Sequence, residues 1–225
     1  MMFNVDCFYT RFPQMTPYIG DCYETANAHN CALLVIGESH YLPANSTIHK
    51  DPDHWYQANQ SMLSEEEKTW ISTRDIIATE LPKNFPNSAQ SIWKYGYRKI
   101  NECGPRFEDY RESFKYSIIY NFYLRPANEG NSFKELIKPC DNEIANSYFE
   151  YMIAKFNPCG IIFLSMFAYN NCEKVNKLKI PVAATPHPCS QWWNRRSGKY
   201  GGKFGRDLVQ DGMRGMDWGW ARLQK

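Results

Sequence analysis

The chain has 225 residues, a formal net charge of only +2 at neutral pH, and 43% hydrophobic and 22% charged residues. This length supports one sizeable core, so we expect a single domain over residues 1–225 and a monomer. No apolar run reaches the ~18 residues that a bilayer crossing needs, and the amino terminus lacks a basic region followed by an apolar stretch. We therefore expect a cytoplasmic protein with no membrane partner.

The predicted strands are four apolar runs rich in Ile and Val, at residues 31–36, 116–121, 160–167 and 180–185. Each run is nearly continuous rather than alternating, which is typical of strands covered on both faces in a parallel sheet.

Helical patterns lie between these runs. Ser64 and Glu67 form a capping-box pattern, residues 88–102 carry apolar side chains at helical spacing, and Asp141 begins a pattern that stops at residues 157–160. The alternation of strand and helix predicts an α/β fold of three layers, α/β/α, with a central, mostly parallel four-stranded sheet.

Polar side chains follow the predicted strands, at the edge where parallel sheets bind ligands. The segment Gly-Glu-Ser-His-Tyr at 37–41 follows the first strand. Asn121 ends the second, and its amide offers the donor and the acceptor that match the edge of a nucleobase. His187 follows the fourth between two prolines, which restrict its backbone.

The carboxyl-terminal part of the chain is basic. Residues 186–225 carry eight Lys or Arg against three Asp, a local excess that phosphate binding would need. Trp192 and Trp193 stand directly before Arg195 and Arg196, so aromatic and cationic side chains follow His187 closely.

Metal and cluster chemistry have little support in the sequence. The eight cysteines are scattered without a Cys-x-x-Cys pair, and several border apolar segments, which favours reduced thiols. His49 and His54 are spaced loosely for metal ligands and predict a solvated loop. We expect no metal ion and no cofactor.

Taken in order, the strand ends resemble motifs of the uracil-DNA glycosylase superfamily, over roughly residues 31–196. The segment 37–41 is similar to the family's water-handling first motif. Residues 121–126, Asn-Phe-Tyr-Leu-Arg-Pro, are similar to the strand end that reads the flipped base, in the style of the iron–sulfur class. Residues 187–190, His-Pro-Cys-Ser, resemble its His-Pro-Ser motif.

The resemblance implies a DNA glycosylase that flips uracil or a related damaged base out of DNA and hydrolyses its N-glycosidic bond. Glu38 would position water and stabilise the cationic sugar, and His187 would donate to a carbonyl oxygen of the leaving base. The residues expected at the base are Gly37, Ser39, Tyr41 and Asn121. The residues expected at the DNA strand are Ser190, Trp192, Trp193, Arg195 and Arg196.

Two departures from the family pattern constrain this interpretation. Ser39 stands where the best-known branch has its catalytic Asp, so the carboxylate role falls to Glu38, as in the iron–sulfur class. That class binds its cluster through four cysteines, but here Leu124 stands at the strand-end position of one of them. We therefore expect no iron–sulfur cluster.

Two alternatives remain open. An esterase of the Gly-Asp-Ser-Leu type would use Ser39 as nucleophile and His187 as base. That family pairs its His with an Asp three residues earlier, where this chain has Ala184, and its Gly-x-Asn-Asp block is absent. The other alternative is a non-catalytic nucleic-acid-binding module on the same fold.

Overall fold

The computed structural model describes residues 3–29, 31–87, 91–104 and 106–216. Its strands are β1 (Tyr18–Ile19), β2 (Leu33–Leu42), β3 (Ser117–Asn128), β4 (Gly160–Phe163), β5 (Val182–Ala184), β6 (Arg196–Ser197) and β7 (Lys203–Phe204). The central sheet has the order β1-β3-β2-β4-β5, and β6 and β7 form a separate hairpin. Strands β2 to β5 are parallel, and β1 is antiparallel to β3. The chain is thus α/β with a mostly parallel sheet, as predicted.

The predicted number of four strands in the central sheet is wrong, because β1 adds a fifth. This strand consists of Tyr18 and Ile19 alone, which pair with Ile119 and Ile118 of β3. Two residues are too few to show the alternation or the apolar run by which a strand is recognised in a sequence.

The helices of the described ranges are α1 (Val5–Arg11), α2 (Tyr23–Ala28), α3 (Pro52–Gln57), α4 (Glu65–Trp70), α5 (Thr73–Glu80), α6 (Ser91–Cys103), α7 (Pro139–Phe156), α8 (Met166–Asn171) and α9 (Leu208–Gly212). The predicted capping box before α4 is confirmed, because Ser64 Oγ accepts from Glu67 N and Glu67 Oε2 accepts from Ser64 N. Helix α7 begins before Asp141 at Pro139, since proline suits the first helical turn. Residues 88–90 of the predicted helix at 88–102 lie outside the described ranges.

The first two strands continue beyond their predicted ends at residues 36 and 121. Gly37 pairs with Asn121, and pairing extends as far as Leu42 opposite Asn128. The apolar runs marked only the apolar part of each strand, whereas backbone pairing continues through the residues that follow, which in β3 are buried as well. The segment 37–41, predicted to follow the first strand, therefore lies within β2, and residues 121–126 lie within β3.

The pairing of β2 with β3 contains a bulge. Ser39 lies opposite Tyr123, but Tyr41 lies opposite Ala127, so β3 has extra residues at this point. One of the extra residues is Pro126, which has no N–H to donate to a neighbouring strand. Bulges accommodate proline for this reason, and they bend the strand that carries them.

Helices cover both faces of the sheet, as a three-layer arrangement requires. On one face, Tyr120 of β3 contacts Tyr148 of α7, with ring centroids 4.8 Å apart. On the other face, Asn121, the next residue of β3, donates a hydrogen bond from Nδ2 to Thr73 Oγ1 of α5 at 3.1 Å. The buried apolar side chains form a cluster with members from α1 to α9.

A buried ion pair ties the bulge of β3 to its surroundings. Arg125 and Asp141 are fully buried, with 2.5 Å between Nη2 and Oδ2. Arg125 also donates to the carbonyl oxygens of His49 and Leu136, at 2.9 and 2.7 Å. The solvated loop predicted at His49 is wrong, because its ring is buried and Nε2 lies 3.0 Å from Asn128 Oδ1.

The cysteines at positions 7, 22, 103, 140, 159, 172 and 189 are free thiols in the structure, and the Sγ of the buried Cys31 donates to the carbonyl oxygen of Ala26 at 3.4 Å. Among the helices of the described ranges, none combines the length and the apolar character that spanning a membrane demands.

Candidate active site

The site lies where the strand order of the sheet reverses. From β2 the chain next enters the sheet at β3, on one side, whereas from β4 it continues to β5, on the other side. In parallel α/β sheets such a reversal opens a crevice at the carboxyl ends of the two central strands, and ligands bind there. The last pair between β2 and β4 joins Ile36 to Phe163, so Glu38 stands just beyond it.

A cavity of about 370 Å³ opens at this edge of the sheet. Its volume falls within the range of small-molecule sites. The lining comes from β2, the turn after β3, the start of α8 and the segment after β5, and it includes Glu38, Ser165, Phe167, His187, Ser190 and Trp192. The structure thus brings together four residues that the sequence singled out, which are Glu38, His187, Ser190 and Trp192.

Ser165 fixes the carboxylate of Glu38. Its hydroxyl donates to Glu38 Oε2 at 2.5 Å and accepts from the N–H of Ala168 at 3.2 Å, as the N-cap of α8. A hydroxyl has one proton to donate, and here that proton goes to Glu38, while the backbone N–H uses one of the two lone pairs of the hydroxyl oxygen. Ser165 was not predicted as a site residue, because the strand predicted at 160–167 extends over it, whereas β4 ends at Phe163. A serine two residues beyond an apolar run was the available N-cap signal.

His187 is held in one orientation and one protonation state. The backbone N–H of Cys189 donates to its Nδ1 at 3.2 Å, so the proton of the neutral ring lies on Nε2. The N–H of Ser190 closes the turn on the His187 carbonyl oxygen at 2.8 Å, and the prolines at 186 and 188 are buried. Burial lowers the pKa of His187 to about 4, so at neutral pH it is an uncharged hydrogen-bond donor.

The side chain of Asn121 is engaged in a buried hydrogen bond away from the cavity. Its Nδ2 is bonded to Thr73 Oγ1, which lies 3.1 Å from Nδ1 of His40. A Cβ at position 37 would overlap Asn121 Oδ1, so Gly37 makes room for this side chain rather than for a ligand. Burial lowers the pKa of His40 to about 3, so His40 is neutral in this buried chain of hydrogen bonds.

The other residues expected at the base also lie outside the lining described for the cavity. Besides Gly37 and Asn121, these are Ser39 and Tyr41. Ser39 Oγ is buried and has no hydrogen-bond partner. Tyr41 is half-buried. The pKa of its phenol is raised, chiefly by burial and to a smaller extent by the nearby Glu38 carboxylate.

The residues expected at the DNA strand divide by exposure. Trp192 is 45% exposed at the cavity, whereas Trp193 is 3% exposed and packs in the interior. Trp192 therefore presents an accessible ring at the cavity, whereas Trp193 is a core residue, which corrects the prediction for Trp193. Arg195 and Arg196 are exposed, and the guanidinium of Arg196 lies 4.8 Å from the ring centroid of Phe204.

Two cationic residues of the lining were missed by the sequence analysis. Lys134 lies in the short 3-10 helix Phe133–Glu135 after β3, and its Nζ is 5.1 Å from the ring centroid of Phe167. Lys199 lies in the 3-10 helix Gly198–Tyr200 after β6. One turn follows β3 of the central sheet and the other lies in the separate hairpin of β6 and β7, so the two meet at one cavity only in the folded protein and no local pattern could reveal them.

Comparisons with known proteins give no family for the chain: no family model matches it, and no curated protein matches its sequence. In the part of the chain that the structure describes, no three His, Cys, Asp or Glu side chains are grouped so that they could hold a metal ion.

Proposed function

We propose that the protein is a divergent member of the uracil-DNA glycosylase superfamily that excises uracil or a related damaged base from DNA. The observation that carries the proposal is a single cavity lined by a carboxylate, Glu38, and by a neutral imidazole donor, His187. The motif resemblance over residues 31–196 supports the choice of a nucleobase as the leaving group.

The sugar side of the reaction is the task of Glu38. Cleavage of an N-glycosidic bond passes through a cation-like sugar, which a nearby carboxylate stabilises. The hydrogen bond from Ser165 engages Oε2 and leaves Oε1 to orient the attacking water. In this proposal the charge of Glu38 stabilises the sugar cation, and the hydrogen bond from Ser165 fixes the orientation of the carboxylate.

The base side is the task of His187. The departing base carries negative charge on a carbonyl oxygen, and the Nε2–H of His187 donates to that oxygen. Because the pKa of His187 is about 4, the ring is uncharged at neutral pH and stabilises the leaving base through a hydrogen bond from Nε2–H. Asn121 is bonded to Thr73 and lies away from this lining, so contact of Asn121 with the base is not part of the proposal.

Extrusion of the base requires stacking surface and cations beside the cavity. Trp192 supplies an exposed ring at the cavity, and Arg195 and Arg196 supply exposed guanidinium groups just after it. Phosphate contacts of this kind position DNA without reading its sequence.

The esterase alternative has less support. A serine nucleophile needs a hydrogen bond to its base, but Ser39 Oγ is buried with no hydrogen-bond partner. His187 lines the cavity, but Ser39 is not among the lining residues.

The proposal is tested with oligonucleotides that carry one deoxyuridine, hypoxanthine or mismatched base, in single and double strands. After incubation with the purified protein, alkali should cleave the strand at the modified position, and an unmodified oligonucleotide of the same sequence should stay intact. Binding without cleavage for every substrate would refute excision and identify a nucleic-acid-binding module.

A further inference from the structure

Two ammonium groups at the cavity have no part in the proposed chemistry. Lys134 follows β3 and Lys199 follows β6, so separate elements bring them to one lining. Several surface lysines pair with carboxylates, for example Lys115 with Glu112, but no such ion pair is found for Lys134 or Lys199 among the described residues. With His187 neutral, the two lysines outnumber the one carboxylate of the lining, so the cavity attracts an anion.

Ser190 gives an independent sign of a polar ligand. Ser190 is one of the lining residues, and its Oγ is buried and has no hydrogen-bond partner among the described residues. Ser190 precedes the short 3-10 helix Gln191–Trp193, but its side chain does not cap that helix. A buried hydroxyl without a partner is costly, and an anionic ligand bound beside Ser190 would supply the missing acceptor.

We propose that Lys134, Lys199 and Ser190 form a phosphate subsite, so that the cavity takes a whole nucleotide rather than a base and its sugar alone. Lysine binds phosphate as a point charge, and a hydroxyl donor adds direction. The nucleobase in this assignment rests on the proposed function, whereas the phosphate subsite rests on the lysines and the unpaired hydroxyl. At about 370 Å³ the cavity is near the small end for ligand sites, which suits one nucleotide.

Calorimetric titration with a matched pair of ligands tests this subsite. We expect deoxyuridine 5′-monophosphate to bind at least about tenfold more tightly than deoxyuridine at low salt, because charge-assisted hydrogen bonds are worth that factor or more. Added salt should weaken binding of the monophosphate and leave the nucleoside nearly unchanged. Inorganic phosphate should compete with the monophosphate.

Three single variants show which lysines are responsible. Lys134→Gln and Lys199→Gln should each reduce the advantage of the monophosphate. Lys177→Gln, an exposed lysine that is not part of the lining, should leave it unchanged. Equal affinities for the two ligands, no binding of the monophosphate, or the same affinities in all three variants would overturn the proposal. So would an effect of Lys134→Gln and Lys199→Gln confined to oligonucleotides, since the phosphate would then belong to a neighbouring nucleotide.

The outcome is separable from that of the proposed function. Lysine-dependent binding of the monophosphate without abasic sites in any oligonucleotide would remove the glycosylase and keep the subsite. Abasic sites together with equal affinities for the two ligands would keep the glycosylase and remove the subsite.

Discussion

The hydroxyl of Ser165 determines which oxygen of Glu38 is free to act in the cavity. Ser165→Ala removes the 2.5 Å hydrogen bond to Oε2 and lets the carboxylate rotate. We expect kcat for excision to fall about ten- to a hundredfold with little change in KM, since a small misplacement of a reacting group costs this much. Ser165→Thr keeps the hydroxyl and should restore most of the rate.

The helix cap provides the control for this variant. Loss of the N-cap of α8 costs about 0.5–2 kcal/mol of stability, so rates are compared at a temperature where both variants are folded. A Ser165→Ala protein that is folded and excises at the full rate would show that Ser165 does not position Glu38.

Trp192 and Trp193 form a matched pair of neighbouring side chains with opposite exposure. Trp192→Ala should weaken DNA binding by about 1–3 kcal/mol, the value of stacking on a base, and leave the free energy of unfolding almost unchanged. Trp193→Ala should instead destabilise the fold by about 3–5 kcal/mol, as expected for a large buried side chain. Denaturant unfolding measures the stability of both variants, and titration with DNA measures their affinity. Wild-type DNA affinity in Trp192→Ala would exclude Trp192 as the stacking residue.

At the scale of elements, strand β2 contains a histidine that makes the fold sensitive to acid. Burial lowers the pKa of His40 to about 3 from an ordinary value of 6.5. The unfolded chain therefore binds more protons than the folded chain between these values, and stability is lost as the pH falls below about 6.5. His187, with a pKa of about 4, acts in the same direction.

Urea unfolding from pH 7 to pH 4 measures this effect. We expect His40→Asn, which cannot gain a proton, to lose less stability over this range than the wild-type protein. The comparison concerns the slope with pH, because the substitution also changes the absolute stability through its contact with Thr73. An unchanged slope would mean that His40 is not the group that titrates.

Loss of the buried ion pair between the bulge of β3 and the start of α7 should lower the free energy of unfolding more than loss of an ion pair on the surface. Asp141→Asn leaves Arg125 charged and without its carboxylate in the interior, which costs about 3–5 kcal/mol. Lys83→Gln breaks the pair with Glu80, in which the lysine side chain is 60% exposed and the glutamate 18%, and should cost less than about 1 kcal/mol. Similar free energies of unfolding for both variants would contradict the burial of the pair.

The elements themselves were largely predictable from the sequence. The capping box at Ser64 and the long apolar stripe of α7 act locally, so the pattern places both helices. The lengths of β2 and β3 were not predictable, because their pairing continues through Glu38 and past Pro126, where neither residue signals a strand. Strand pairing depends on the neighbouring strand, which a local pattern does not contain.

At the scale of the whole molecule, the topology brings together side chains far apart in sequence. Glu38, Ser165 and His187 come from β2, from the end of β4 and from the segment after β5, which are neighbours in the sheet. The sequence predicted the meeting of Glu38 and His187, because parallel strands present their carboxyl ends at one edge. The sequence also predicted that Asn121 lies beside these residues, but the Asn121 side chain points towards α5 and donates to Thr73.

The basic carboxyl-terminal segment surrounds the cavity only in part. Its described portion includes the exposed Arg195 and Arg196 and the cavity residue Lys199. The last nine residues of this predicted basic segment, 217–225, lie outside the described ranges. The charge count alone could not distinguish cations at the cavity from those that pair within the fold, such as Lys203 with Asp211.

The central claim is that Glu38, rather than Ser39, carries the chemistry, and a single-turnover assay on a deoxyuridine oligonucleotide tests it most directly. Glu38→Gln keeps the size of the side chain and removes its charge, so the rate of abasic-site formation should fall at least about a hundredfold while DNA binding persists. Ser39→Ala should lose much less, because Ser39 Oγ contacts no hydrogen-bond partner. Full activity in Glu38→Gln together with loss of activity in Ser39→Ala would contradict the glycosylase mechanism and favour the esterase.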